Sequence, residues 1–443
     1  MRLKYLLVLG VLPSWVLADD VLQHHLNGSR DGSYVDPLIT QTSAASTHRD
    51  LAFSAPLPGP TYAQPLYVNN GPNGTPALIV ATEQNAVLAL DAMQHRIFAL
   101  FLDDGSTVPG WPVDVSGIGY QGFSLNSMFQ NQRGALLLNL GVLYVPYGGH
   151  AGDCGDYHGW VVAVPVNDPA SVTAWATGAQ EGGIWAPGGL STDGNSFFAA
   201  TGNTFGADSW MGGEAIIRLG PGATFTGDPA DYFSPSNWQQ LDLMDADLGG
   251  SGPVLIDVPG ATPSQLVVAL GKNGVAYLLD RNNLGGIGTG DGTTGEGVQS
   301  AQVSTGEIIN AAAAYTTASG TYVVFNTSGT GVGCPGNPGN LVGLRIGASA
   351  PPSISVAWCA DSGGRGSPIA TTTDGSSEPV VWSVGSEGTN RLQAFNGETG
   401  AVLFSGGGTD EQMTLVRRFE TPIAVNGRIF VAADGELYAF RTQ

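Results

Sequence analysis

Along most of the chain, short apolar or alternating runs are separated by turns rich in glycine, asparagine and aspartate. One run recurs seven times, at 87–91 (Val87-Leu88-Ala89-Leu90-Asp91), 161–164, 216–219, 276–280 (Ala276-Tyr277-Leu278-Leu279-Asp280), 341–344, 392–395 and 437–440. Each copy follows a second run, at 77–82, 142–147, 196–201, 265–270, 321–326, 378–384 and 428–433. Ahead of those lies a third, richer in small residues, at 64–68, 134–139, 188–192, 252–257, 311–316, 367–372 and 421–425. Period-two alternation bounded by turn residues predicts strands. Small residues suit an inner strand crowded against an axis. No helix-period stretch of useful length is present.

Units that cannot bury both of their faces alone must stack, and a closed ring removes the exposed edges that an open stack would leave. The pattern therefore predicts an all-β fold, a seven-bladed β-propeller of four-stranded antiparallel blades. The last unit stops at Phe440 without an outermost strand. A segment near 33–55 is expected to supply it, so that an N-terminal strand closes the ring.

Composition agrees with this picture. Hydrophobic residues make up 42% of the 443, charged residues only 12%, and glycines number 66; many tight turns are needed and few charge-laced helices are available. The formal net charge of −21, with 16 Lys and Arg, leaves no cationic footprint for nucleic acid or anionic lipid. The N-terminus has the form of an export signal: Arg2 and Lys4, an apolar stretch from Leu6 to Leu12, and Val16-Leu17-Ala18 before Asp19. The expected organisation is a signal peptide over 1–18 and one propeller domain over 19–443, secreted or periplasmic, with no membrane span. In that compartment Cys334 and Cys359 are the expected disulfide, and Cys154 is left over.

The units resemble the pyrroloquinoline quinone (PQQ) repeat β-propellers, in an exported, uncharacterised branch. The likeness is carried by Tyr62-Ala63-Gln64-Pro65-Leu66-Tyr67-Val68, by Ala81-Thr82-Glu83, by Gly149-His150 through His158-Gly159-Trp160, and by Leu278-Leu279-Asp280-Arg281-Asn282. The resemblance implies a propeller that is either a quinoprotein dehydrogenase or a non-enzymatic scaffold. The chain lacks an adjacent cysteine pair, a Cys-x-x-Cys-His haem motif, and the tryptophan of the Thr-Gly-x-x-x-Trp docking motif, which reads Thr399-Gly400-Ala401-Val402-Leu403-Phe404. PQQ and calcium are thus open assignments without an intact motif.

In such a ring, loops entering the inner strands and loops joining the next two strands share one face. They place Gln64, Glu83, Arg133, Tyr157, Trp185, Asn203, Asp247, Lys272, Arg365, Glu387 and Arg418 around the axis as candidate ligand-binding residues. Cations from so scarce a supply suit an anionic or polyhydroxylated small ligand, and equally suit ion pairs between blades. His150 and His158 flank Cys154 in a glycine-rich loop and are the candidate acid–base pair; bracing of the loop is the competing reading, and no metal is assigned. Asp245-Ala246-Asp247 lacks the downstream glutamate of a calcium loop. Three functions follow: a propeller binding a small polar or anionic ligand, a glycan or a protein partner at a central funnel; a PQQ/Ca-dependent oxidoreductase acting on alcohols or sugars; and a carbohydrate-active lyase or hydrolase.

Overall fold

A computed structural model describes residues 20–71, 74–82, 96–101 and 104–442. The expected signal peptide, the first copy of the recurring run at 87–91 and Glu83 lie outside the described residues. In six sheets the inner, second, third and outer strands follow one another antiparallel, and two of these sheets add a fifth strand in parallel. A two-stranded sheet, Leu66–Val68 with Ala77–Ile79, stands where the first unit is expected. Among the described residues the longest helix is Trp238–Met244, which precedes the fourth unit.

Adjacent side chains on the central strands feed different cores, which is why these runs read as almost continuous apolar sequence. Phe197 packs between units two and three, with Leu137, Tyr144 and Val161. Its neighbour Phe198 packs between units three and four, with Val267 and Tyr277. Val268 and Val323 join units four and five, while Val324 joins unit five to Val381 and Phe395 of unit six. A large cluster carries Trp382 of unit six, Ile423 and Val431 of unit seven, and Tyr67 of unit one. The segment between the first two units, with Ile97 and Trp111, packs on Val145 and Trp160. Among the described residues, cores thus join successive units from the second to the seventh, and the seventh to the first. Cys334 and Cys359 form the expected disulfide within unit five.

The N-terminus completes the last sheet as expected: His48–Arg49 and Ala55–Pro56 both pair with Glu436–Arg441. It also does something the pattern does not announce. Residues 20–36 run across the inner edges of the sheets as a plug. Val21 pairs with Tyr67, Gly28 O accepts from Thr192 N, Ser29 O from Leu255 N, and Asp31 O from Ala314 N. Ser33–Val35 then pairs in parallel with Ile369–Thr372, and Asp36 Oδ2 accepts from Gly427 N at 2.7 Å. Arg30 is 2% exposed and spends its guanidinium on three carbonyls, Leu190, His24 and Leu136, at 2.7–2.8 Å. Every unit from the first to the seventh is tied to this segment. The plug meets the inner strands from their first residues, Gln64 and Thr421, to their last, Thr192 and Thr372, and so fills the axis.

Asn27-Gly28-Ser29 and Asn326-Thr327-Ser328 have the form of N-glycosylation acceptors, and the fold engages both asparagines. Asn27 donates to both oxygens of Asp31, and Asn326 is fully buried.

Candidate functional site

Loops from units two, three, four and seven converge on Trp185. Arg133, which precedes the inner strand of unit two, donates from Nε to the Trp185 carbonyl (3.1 Å). Its guanidinium carbon stands 4.9 Å from the Trp185 ring and 5.8 Å from the ring of Phe419, which comes from unit seven. Lys272, from the turn between strands Gln265–Leu270 and Val275–Asp280, brings its ammonium to 5.2 Å from the same indole. Such contacts draw on the negative face of the ring. Lys272 also pairs with Asp245 at 2.9 Å and closely with Asp247. Arg133 has no carboxylate within ion-pair distance among the described residues.

An acidic wall backs this pair of cations. Asp247, 1% exposed, accepts from the Asn203 backbone N–H at 2.8 Å. Asn203 Nδ2 donates to Glu181 Oε2 at 3.0 Å, and Glu214 Oε2 accepts from Leu248 N at 2.6 Å. Gly202 permits the arrangement, because a Cβ there would lie 2.2 Å from Asp247 Oδ1 and 3.1 Å from Trp185 Nε1. Burial raises the Glu181 carboxyl to about 7, helped by Asp153, Asp242, Asp247 and Asp245. Burial likewise lifts Glu214 well above the carboxylate range, with Asp247 adding to it. Desolvation lowers the Arg133 pKa, against the opposing pull of Asp247 and Tyr157. Tyr157 donates to Asp153 at 2.6 Å, and burial followed by that carboxylate raises its pKa.

Arg133, Tyr157, Trp185, Asn203, Asp247 and Lys272 are therefore brought together as the sequence suggests. The other candidates go elsewhere. Gln64 braces the plug, accepting from His25 N (3.0 Å) and donating to the Gln23 carbonyl. Glu387 and Arg418 pair with each other at 2.8 Å on the rim of units six and seven. Arg365 contributes backbone bonds to Ser386 and Asn310. His158 is buried, with Nδ1 2.9 Å from the Thr177 carbonyl and its ring 4.3 Å from Phe123, while His150 is exposed. Cys154 is a free, exposed thiol. Glu181 is the residue sequence reasoning missed. Its φ of 69° holds it in the left-handed region, where an L side chain needs external support. Beside Lys272 opens a groove of about 510 Å³, lined by Asn237, Gln240, Met244, Asp245, Asn273 and Glu307 among others.

The donor set tests the two cofactors raised by the sequence. Asp247, Asn203 and Glu181 offer hard oxygens, but Asp247 already accepts from Lys272 and from an N–H, and Glu181 accepts from Asn203. Among the described residues no three His, Cys, Asp or Glu are grouped as a metal shell. The Lys272 ammonium stands between Asp245 and Asp247, where a cation would sit; calcium does not fit this arrangement. For a carboxylated quinone the residues present offer the Trp185 ring and the Arg133 guanidinium, while Lys272 is committed to Asp245 and Asp247.

No protein-family model matches the chain, and no curated protein sequence does either. Solved structures do match in fold. A quinohemoprotein alcohol dehydrogenase from Pseudomonas putida HK5 superposes with a TM-score of 0.62 at 12% identity, over 96% of this chain and 80% of that one. A quinohemoprotein alcohol dehydrogenase from Comamonas testosteroni gives 0.58 at 14% identity, over 96% and 80%. A europium-containing methanol dehydrogenase gives 0.58 at 12% identity, over 95% and 98%. The fold is a β-propeller. Identities this low speak to architecture and leave the activity to the residues themselves. No helix among the described residues is long and apolar enough to cross a membrane.

Proposed function

We propose that the protein is an exported binding propeller that captures a small, planar, carboxylated molecule at its open mouth. The observation that carries this reading is Arg133, held over Trp185 and beside Phe419 with no carboxylate of its own. A guanidinium fixed in this way is suited to a ligand carboxylate, since its donors form a planar fork. The indole supplies a stacking face. Glu181, with a carboxyl titrating near neutrality, offers a proton to a ligand carbonyl or accepts one from a hydroxyl. The blind axis behind the site favours capture over passage. Export is supported by the signal-like N-terminus and by a disulfide, which persists in oxidising compartments.

A second reading, PQQ-dependent oxidoreductase, is favoured by one specific feature: a carboxyl raised to about 7 and joined through Asn203 to Asp247. The known activities of the quinohemoprotein alcohol dehydrogenases that share the fold point the same way. A bound quinone would supply two-electron redox chemistry. In this chain Arg133 would hold an acid group, and Glu181 would hold the proton taken from a substrate hydroxyl.

One titration separates these readings. PQQ and other aromatic carboxylates are added to the mature protein with and without Ca²⁺, following Trp fluorescence and then dye reduction with alcohols and aldoses. Micromolar binding without turnover supports the binding propeller, and turnover establishes the oxidoreductase. No binding by any planar carboxylate refutes both.

A further inference from the structure

Glu181 stands at the seam of units two and three and is fixed there by its backbone. Its N–H donates to the Tyr157 carbonyl (2.7 Å), its carbonyl accepts from Gly159 N (2.9 Å), and the next amide, Gly182 N, donates to the Asn203 carbonyl (2.6 Å). Its side chain accepts from Asn203 Nδ2, and the Asn203 backbone N–H in turn donates to Asp247. The elements packed around it are acidic. Asp153, in the loop that carries Tyr157, accepts from the Tyr157 hydroxyl (2.6 Å). Asp242, on the helix before unit four, accepts from Thr204 N (2.7 Å); Asp245 ends that helix and Asp247 lies two residues on. The neighbouring His158 turns Nδ1 to the Thr177 carbonyl, with Nε2 3.9 Å from Asp156. Glu214, bonded to Leu248 N, is kept protonated by burial. Among the described residues the cations at this seam are Lys272, shared by Asp245 and Asp247, and Arg133.

Arg133 and Glu181 share neighbours. The guanidinium interacts with Asp247 and Tyr157. Glu181 bonds to the Tyr157 backbone directly and reaches Asp247 through Asn203. A ligand carboxylate seated on Arg133 therefore cancels the one cation of the seam that no acid has claimed, and puts a further negative charge into the same field. Like charges in a partly desolvated site repel, so the ionised form of Glu181 becomes harder to hold. Burial, then Asp153, Asp242, Asp247 and Asp245, already raise this carboxyl to about 7. One more negative charge moves its titration above neutrality. Linkage is reciprocal: a ligand that tightens the proton is itself tightened by the proton.

We propose that capture at the mouth is coupled to proton uptake: a planar carboxylate on Arg133 and a proton on Glu181 are held together, so that affinity rises as pH falls through neutrality. This regulation rests on the reading of Arg133 as a carboxylate site. The test is calorimetric titration of the mature protein with PQQ and with naphthalene-2-carboxylate, whose acid groups stay ionised from pH 6 to pH 9. Runs at pH 7.5 in phosphate and in Tris, which differ in ionisation heat, count the protons taken up. One ligand charge in this field should shift the carboxyl by about one pH unit, giving uptake of about half a proton at pH 7.5 and an affinity about tenfold higher at pH 6 than at pH 9. Glu181→Gln keeps an acceptor for Asn203 and cannot ionise. In that variant the uptake should vanish and the affinity should stay level across the range, with the melting temperature confirming that it folds. Binding without proton uptake, or uptake that persists in Glu181→Gln, overturns the proposal and leaves the mouth a carboxylate site. No binding by either probe overturns that reading and the proposal with it.

Discussion

Acidification should loosen the plug through its two histidines. His24 and His25 stack with ring centroids 4.6 Å apart, next to the buried Arg30. His25 Nδ1 lies 3.1 Å from the Arg30 carbonyl, and His24 Nε2 lies 3.2 Å from Thr421 Oγ1. Burial lowers the His25 pKa from 6.5 to about 4 and the His24 pKa well below its ordinary value, with Arg30 contributing to both. The folded protein thus keeps these rings neutral while the unfolded chain protonates them. The stability that a neutral His25 permits is complete above pH 6.5, is lost as pH falls towards 4, and changes no further below that. At about 1.4 kcal/mol per tenfold change in proton affinity, the His25 gap is worth about 3 kcal/mol. The assay is equilibrium denaturation of the parent and of His25→Asn from pH 7 to pH 4. Asparagine tolerates the φ of 52° at this position and does not titrate. The parent should lose about 3 kcal/mol more than the variant over that range. A stability difference between the two proteins that does not change with pH would refute the reasoning.

Other consequences can be checked alongside. Arg30→Met leaves the carbonyls of Leu190, His24 and Leu136 without their donor and should cost about 3 kcal/mol or more in denaturant melts, at all pH values. Glu420 is fully buried, which holds its carboxyl protonated well above the usual range, and its Oε2 has no partner. Because the unfolded chain releases that proton at lower pH, Glu420→Gln should raise stability at pH 7 and give no such gain at pH 4. Gly202→Ala should weaken mouth binding at least about tenfold by displacing Asp247 or Trp185, while Lys272→Met strips the buried Asp247 of its cation and should cost about 3 kcal/mol in denaturant melts.

The ring was legible because its signal is local. Phe197 and Phe198, or Val323 and Val324, serve opposite cores, and a strand with both faces buried must be apolar throughout. The missing outer strand was legible by subtraction, and His48–Arg49 with Ala55–Pro56 fills it. The mouth was half legible. Topology alone puts the residues before inner strands on one face, so Arg133, Trp185, Asp247 and Lys272 could be gathered from sequence. Glu181 was hidden because its character comes from burial, four neighbouring carboxylates and a left-handed backbone, none of which marks the sequence. The plug was hidden for another reason: residues 20–36 bond mainly through backbone to strand edges, which any side chain permits. Gln64 was assigned to the mouth on topology, but hydrogen bonds to His25 and Gln23 commit it to the plug. His158 drew attention as one of a pair, yet its Thr177 and Phe123 contacts belong to the wall of unit two.

The central claim is that the guanidinium of Arg133, poised on Trp185, selects a carboxylate. Calorimetric titration of PQQ and its trimethyl ester against the parent and Arg133→Met tests it most directly. The parent should favour the free acid by about tenfold or more, the worth of one charge-assisted hydrogen bond, and Arg133→Met should show no preference. Equal discrimination by both proteins would contradict the claim.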